Sequence, residues 1–465
     1  MKRELSGYPQ RQPQRASQGS QLWNWAQNAQ LAEHHQVLIP GSEERLREMV
    51  AAAPGRLRVM GSRMSPGRML ALDAPEDRLI DTGLLRGMLS HDAQSATFAG
   101  GTPLHEVYEL LTSIGRMLHA SPGVIASQTL AGALATGTHG QGLAQSSIGD
   151  EVLRIRMVLA DGSVQTFERE HPWFHAVQLG LGCLGIVTAV TLRTRPAAVY
   201  TCFKHAVSGD SLATDLLTWN RDYALSKAWW FPEENQVHVW TAREATDCEC
   251  AQYHDNHGDA VVYQDTSDAM NNTVDRTLKQ MRSDTQIRDE NGKPFRTVTR
   301  FKDFSDITGD IYQVFCRGIA TPQINVEIAI PLARTAAVIA RIKQWHSDTN
   351  PHMHYPVILR CTGASQSWLS PAWQQPSCYF GFVVYYAEDG SLSADGVAFL
   401  REVEKLLAEE GGRPHWGKYF DASLYRRDEI YPQMAAFREV REALDPQHKF
   451  SNAFSQQLLD QGDSL

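Results

Sequence analysis

The residues best placed to do chemistry lie between Gly123 and Gly142, in the run GVIASQTLAGALATGTHGQG. It holds five glycines, four Ser/Thr hydroxyls and no formal charge if His139 is neutral. Glycine loses the most entropy on ordering, so such density needs a reason. One reason is close approach of backbone to a ligand, with N–H groups aimed at anionic oxygens. The other is a tight packing turn, and buried Leu130 and Leu134 fit both. Shorter pieces of the same character are Gly61-Ser-Arg-Met-Ser-Pro and Gly180-Leu-Gly-Cys-Leu-Gly. A cluster of another kind is Cys248, Cys250, His254 and His257. Its C-x-C…H-x-x-H spacing is no common zinc pattern. We expect a solvated loop there and no metal.

Elements must position these loops. Gln36 to Leu72 reads strand, helix, strand, with Ser42 capping the helix and Leu57-Arg-Val-Met ending at Gly61. A strand near Thr97 and a helix from Pro103 to Gly115 precede the long glycine run. Val152 to Leu159 alternates as a strand, and Asp161-Gly162 turns it into Ser163 to Phe167. Ile186 to Arg193 is a β-branched strand after the second glycine loop. Further on, Val326 to Ile330 and Gly381 to Tyr386 read as strands. Thr335 to His346 reads as an amphipathic helix, and Ala394 to Glu410 as a helix stopped by Gly411-Gly412.

The whole chain bounds these readings. Its 465 residues are too many for one core. Hydrophobic content of 42% and charged content of 21% are those of an ordinary globular protein. A net charge of −9 without a basic cluster gives no nucleic-acid surface. No apolar stretch has membrane-spanning length. The polar start lacks a signal-peptide core. Seven scattered cysteines point to a reducing compartment, and we expect a cytoplasmic protein. The expected fold class is α+β, a two-domain arrangement. Residues 1–22 read as a flexible tail, 23–198 as a ligand-binding domain, 199–412 as a substrate or cap domain, and 413–465 as a segment returning to the first domain.

The order of Gly61-Ser-Arg-Met-Ser-Pro, the glycine run, Gly180–Gly185, Pro414-His-Trp-Gly-Lys, Leu444-Asp-Pro and Phe450-Ser-Asn-Ala-Phe resembles the sugar-lactone and alditol oxidases. These belong to the vanillyl-alcohol-oxidase superfamily of FAD enzymes. The resemblance implies FAD held by Gly61, Ser62, Arg63, Met64, Ser65 and Pro66, and by Gly123, Ser127, Gln128, Gly132, Thr136, Gly137, Thr138, His139, Gly140 and Gly142. Hydroxyls and the backbone of Gly137 to Gly142 would donate to the pyrophosphate, since buried phosphate charge left unpaired is costly. Gly185, Ile186 and Val187 would lie near the adenine. Arg360 and Lys418 match charged positions at the flavin's reactive edge, as catalytic residues. Arg360 suits electrostatic stabilisation, and Lys418 that or a base's role. Glu327 matches a family acid and is expected to orient a loop, and His139 and His415 to be structural.

Two departures stand out against that family. Where most relatives have a flavin-linking histidine, this chain has Met64, whose thioether cannot replace the imidazole nitrogen. FAD is therefore expected to bind non-covalently. At the substrate face, polar positions of relatives are Val124, Ile358, Gly381 and Val383 here, and Trp368 is nearby. A pocket without polar partners rejects a polyol strongly. The expected substrate is thus a less polar alcohol, amine or ring carbon, oxidised by hydride transfer to FAD. Gly123 leaves room for O2 as acceptor. Neighbours such as Tyr385, Tyr419, His415 and Trp368 could instead compensate, which keeps a sugar-lactone oxidase with a rearranged pocket as the alternative. A non-catalytic ligand-binding relative is a further one. Oligomeric state is not legible.

Overall fold

The computed structural model describes residues 20–121, 125–264, 306–315, 323–351, 353, 355–385 and 394–460. Alternating sequence builds two main sheets among them. The first is antiparallel and runs in the order Val164–Glu168, Val152–Val158, Ile186–Pro196, Ser95–Ala99, Met88–His91, with Arg116–Leu118 on the far end of Ile186–Pro196. A three-stranded parallel sheet, Val37–Leu38, Arg78–Asp81 and Leu57–Met60, lies beside it. The helix Glu43–Ala52 follows Ser42, whose hydroxyl accepts from Arg45 N–H as an N-cap should. Gly162, at φ +80°, makes the hairpin turn read at Asp161-Gly162.

The second sheet has nine strands among the described residues. Their order is Val261–Gln264, Asp306–Asp310, Val199–Ser208, Gln236–Glu244, Leu225–Phe231, Val357–Thr362, Ser377–Tyr385, Gln323–Pro331, Arg413–Pro414. Side chains alternate between its faces. Val357, Leu359, Phe380, Phe382, Val326 and Ile328 enter the core, where the helices Leu212–Asp222, Thr335–Thr349 and Ala394–Glu409 pack. Ile358, Arg360, Tyr379, Gly381, Val383 and Glu327 share the opposite face by register.

Two readings need correction. Strand pairing begins at Gln21, two residues inside the segment read as tail. The glycine run is not all loop, because Leu130–Thr136 is a helix. Thr129 caps it by accepting from Gly132 N–H, and Gly137 ends it in the left-handed region at φ 74°. No helix among the described residues is long and apolar enough to cross a membrane, and the six described cysteines are free thiols.

Candidate functional site

The loop after strand Leu57–Met60 carries the first candidates. Trp25 N–H donates to Arg63 O, Asn24 Nδ2 to Ser65 O and Asn28 Nδ2 to Pro66 O, so the N-terminal strand pair clamps the loop from outside. Arg63 sits at φ 56° and its guanidinium donates to Trp23 O. Among the described residues, the N–H groups of Arg63, Met64 and Ser65 donate to nothing. A left-handed residue beside consecutive unpaired N–H groups makes an anion-binding concavity. A cavity of about 460 Å³ opens at the Ser65 end of this loop, between Ser65, Met69, Leu400, Trp416, Lys418 and Tyr419. The loop therefore fits a phosphate-bearing cofactor.

The long run contributes differently from expectation. Ser62 Oγ donates to Ser127 O, Thr136 Oγ1 to Gly132 O and Thr138 Oγ1 to Gln128 Oε1. Gly137, Thr138 and Gly140 N–H groups go to Leu134 O, Ala133 O and Ser146 O. Of the donors expected to face a pyrophosphate, the N–H groups of Gly137, Thr138 and Gly140 and the hydroxyls of Ser62, Thr136 and Thr138 are committed to protein acceptors. The glycines of the run, and Gly61 of the first loop where it packs on the run, answer to packing. A Cβ on Gly61 would fall 2.1 Å from Thr129 Oγ1, on Gly140 2.3 Å from Gln145 Oε1, and on Gly142 2.2 Å from Ala224 O. Gly185, at φ +150°, lies against Val158 O. Ile186 points into a protein core with Leu46, Leu57 and Phe450, whereas Val187 is half-buried. Gly123 and Val124 lie outside the described residues.

A buried charged cluster forms where the run meets the large sheet. Arg360 Nη2 donates to Glu327 Oε1, and Lys418 Nζ lies 3.9 Å from Oε2. His139 Nε2 is 3.4 Å from Oε1 without hydrogen-bond geometry, while its Nδ1 faces Gly140 O at 2.9 Å. The His139 ring stacks on Tyr379, with centroids 3.6 Å apart. His415 Nδ1 accepts from Gly417 N–H, and Trp416 Nε1 donates to Leu369 O, which fixes the His-Trp-Gly-Lys turn. Arg360 Nε is buried without a partner among the described residues.

Burial would raise the Glu327 carboxyl, but the charge of Arg360, with that of Lys418, outweighs it and holds it well below the usual range. Burial pulls His139 and His415 below ordinary imidazole values, leaving both neutral. It also lowers Lys418, against Glu327's attraction and with Arg360's repulsion. The cluster is one carboxylate facing two cations, with Glu327 at its centre. Sequence reasoning gave Glu327 a minor role. Its signal was a lone charge inside an otherwise apolar strand.

Beside the cluster the same face is apolar. Ile358 stands opposite Gly381, and Gly381 opposite Glu327. A Cβ on Gly381 would lie 3.2 Å from Ile358 Cβ, so the two residues fit as a pair. Val383 is buried opposite Asn325. Trp229 and Trp240, unread in the sequence, continue this face. Trp368 lies on the loop beyond Val357–Thr362, its N–H bonded to His175 O, off the sheet face. Cys248 and Cys250 sit on the helix Asp247–Asp255, not a loop, and are not gathered with His254 and His257 into a ligand set among the described residues. The trio that does come within 4.8 Å is His139, Glu327 and His415. There a dication would meet Arg360 and Lys418 in a site of low dielectric.

Comparison with known proteins agrees with this geometry. Residues 190–458 match a family model described as D-arabinono-1,4-lactone oxidase, and residues 35–168 match one described as FAD binding domain. The chain is 26% identical over 455 residues to L-gulonolactone oxidase of Scyliorhinus torazame, covering 94% of this chain and 97% of the relative. It is 24% identical over 461 residues to alditol oxidase of a Streptomyces species, covering 94% and 98%. It is also 24% identical over 469 residues to L-gulono-1,4-lactone dehydrogenase of Mycobacterium tuberculosis, covering 95% and 99%. A cholesterol oxidase structure from Brevibacterium sterolicum superposes with TM-score 0.72 at 14% identity, over 95% of this chain and 97% of that one. That last likeness shows the fold.

Proposed function

The chain belongs to the D-arabinono-1,4-lactone oxidase family of FAD-dependent oxidoreductases, and we propose that it oxidises a less polar alcohol, amine or ring carbon on non-covalently held FAD. When bound, FAD supplies the hydride acceptor. The backbone of Arg63, Met64 and Ser65 would hold its phosphates. Met64 occupies the position of the linking histidine, and its thioether forms no stable tether.

Arg360 provides fixed positive charge with Glu327 as its counter-ion, and Lys418, beside the same carboxylate, becomes a second cation once it has accepted a proton. Lys418, with its lowered affinity for a proton, can take one from a substrate O–H or N–H. Glu327, strongly ionised, orients Arg360 and keeps Lys418 in place. O2 as acceptor is part of this reading. The domain division at about 198 and 412 is too, with residues 445–452 reaching back to the first unit.

The observation that carries the substrate reading is the Ile358–Gly381 pair. It leaves no polar atom where a polyol's hydroxyls would need partners, each loss costing about 1–3 kcal/mol. Polar Asn325 on the same face, and relatives named for lactones, favour the second reading, a lactone oxidase with a rearranged pocket. Anaerobic bleaching of the purified flavoprotein against a mixed panel separates the two. Faster bleaching by benzylic alcohols and amines than by sugar lactones is expected. The reverse order sinks the first reading. Acid precipitation should release the flavin into solution, and a yellow pellet would refute the missing tether.

A further inference from the structure

Two guanidiniums stand at the mouth of the cavity beside Lys418. Arg68 comes from the loop 65–69 and Arg401 from the helix Ala394–Glu409. Both are exposed, and neither guanidinium has a hydrogen bond or ion pair among the described residues. Their backbones, in contrast, are held. Asn24 Nδ2 donates to Gly67 O and Asn452 Nδ2 to Arg68 O. On the helix, Val397, Leu400 and Arg401 share one face at i, i+3 and i+4 and line the cavity together. One turn on, Glu404 accepts from Asp421 N–H at 2.8 Å and ties the helix to the facing wall. Asp421 is the one carboxylate among the described residues that line the cavity, and its Oδ1 already accepts from Ser423 N–H and Oγ. Two guanidiniums against one carboxylate leave a surplus of one positive charge at the mouth. Burial pushes the Tyr419 phenol up, with Glu404 and Asp421, while Arg401 and Arg68 pull it down, so both guanidiniums act on one hydroxyl. Further in, Met69, Leu400, Trp416 and Phe420 are buried, and the Lys418 side chain is only 15% exposed.

We propose that Arg68 and Arg401 form a carboxylate subsite at the mouth of this cavity, and that the substrate is an amphipathic monoanion whose apolar body runs between Trp416 and Leu400 towards Lys418. This deepens the substrate reading above and rests on it for the reacting end. A surplus of one charge suits a singly charged carboxylate better than a phosphate dianion. A guanidinium fork also matches the two oxygens of a carboxylate. The Tyr419 hydroxyl supplies a further donor beside them. A neutral apolar molecule would gain the walls of the cavity but nothing at its mouth.

Calorimetric titration of the FAD-loaded protein with 4-phenylbutyrate and with 4-phenylbutanamide tests this, because the two probes share a body and differ in charge. The carboxylate should bind about tenfold tighter at low salt, the scale of one charge-assisted contact. The margin should narrow at high ionic strength, since the mouth is exposed. Both arginines lie at the surface, so Arg68→Gln and Arg401→Gln should fold as the parent does. Each should weaken 4-phenylbutyrate by about threefold, as exposed pairs do. Together they should abolish the preference, with 4-phenylbutanamide affinity and flavin content unchanged. Val397→Trp, which fills the cavity from its helix wall, should weaken both probes, and unchanged binding in that variant would place them elsewhere and sink the proposal. Equal binding of the two probes by the parent overturns it without any variant. So does a preference that the double variant keeps. A preference that appears only after the flavin is stripped overturns it as well, because the arginines would then serve the cofactor's own phosphates. Sugar lactones that bleach the flavin fastest, with the carboxylate preference intact, would count against the substrate reading and leave this subsite standing.

Discussion

Glu327 is the residue on which the charged cluster turns. It is 4% exposed and faces Arg360, Lys418 and His139 at once. Removing its charge leaves two buried cations uncompensated, and breaking a buried pair in this way costs about 3–5 kcal/mol. Glu327→Gln should lower urea stability by that amount and slow anaerobic flavin reduction more than a hundredfold. Unchanged reduction would show that Glu327 only supports the fold. Met64 is the second decisive residue. Met64→His should convert part of the flavin to a form that survives acid precipitation, if the clamped loop still presents position 64 correctly. A wholly released flavin in that variant would mean that the loop no longer aims this side chain as relatives do.

At the level of elements, the glycine run works as a joint. Gly142 bridges to Thr362, and Ser226 N–H donates to Gln141 O, so the run is stitched to two strands of the large sheet. Gly142→Ala would place a methyl 2.2 Å from Ala224 O, which is backbone and cannot step aside cheaply. A loss of about 1–3 kcal/mol is expected in thermal or urea unfolding, together with weaker flavin retention.

Most regular elements were legible in the sequence. Val152–Val158, Ile186–Pro196 and Ala394–Glu409 carry clear periodicity or clear stops. The helix Leu130–Thr136 was not, because seven residues are too few to form a helix on their own despite their Ala and Leu, and it is held by Thr129, Gly137 and tertiary packing. Trp229 and Trp240 were missed for a related reason. Leu225–Phe231 is buried on both faces, so its sequence shows no alternation that would tell the site face from the core face. Arg360 and Lys418 were found through their motifs. Their meeting with Glu327 depends on Gln323–Pro331 pairing with both Ser377–Tyr385 and Arg413–Pro414, which no local pattern encodes.

The helix Ala394–Glu409 carries a pH-dependent element. Glu404 is buried, and burial pushes its carboxyl up to about 7 despite hydrogen bonds from Asp421 N–H and Tyr425 O–H. The folded state therefore holds a proton that the unfolded chain, with an ordinary value of 4.5, releases earlier. Its stabilising effect is complete below about 4.5 and is lost as pH rises through about 7. The shift corresponds to an upper bound of about 3 kcal/mol. Glu404→Gln should flatten the fall in melting temperature between pH 5 and pH 8. Equal slopes in parent and variant would show that Glu404 does not carry this linkage.

Across the whole molecule, the two ends of the chain close on one loop. Lys449 O accepts from Leu57 N–H, Phe450 O from the Arg58 guanidinium, and Asn452 Nδ2 reaches Arg68 O, Met69 O and Ala71 O. Phe450 fills a core with Leu46, Val50, Leu57, Ile80, Val158 and Ile186. Strand Leu57–Met60 thus takes its position from residues nearly four hundred places later and feeds the loop whose Ser65 end lines the cavity beside Lys418. Phe450→Ala should cost about 3–5 kcal/mol as a large-to-small core change. Because the same strand feeds the phosphate-binding loop, the flavin dissociation constant should rise at denaturant concentrations where circular dichroism still reports the native fold. Flavin release that coincides with global unfolding in the variant, as in the parent, would separate the C-terminal segment from cofactor retention and leave it a stabilising role alone.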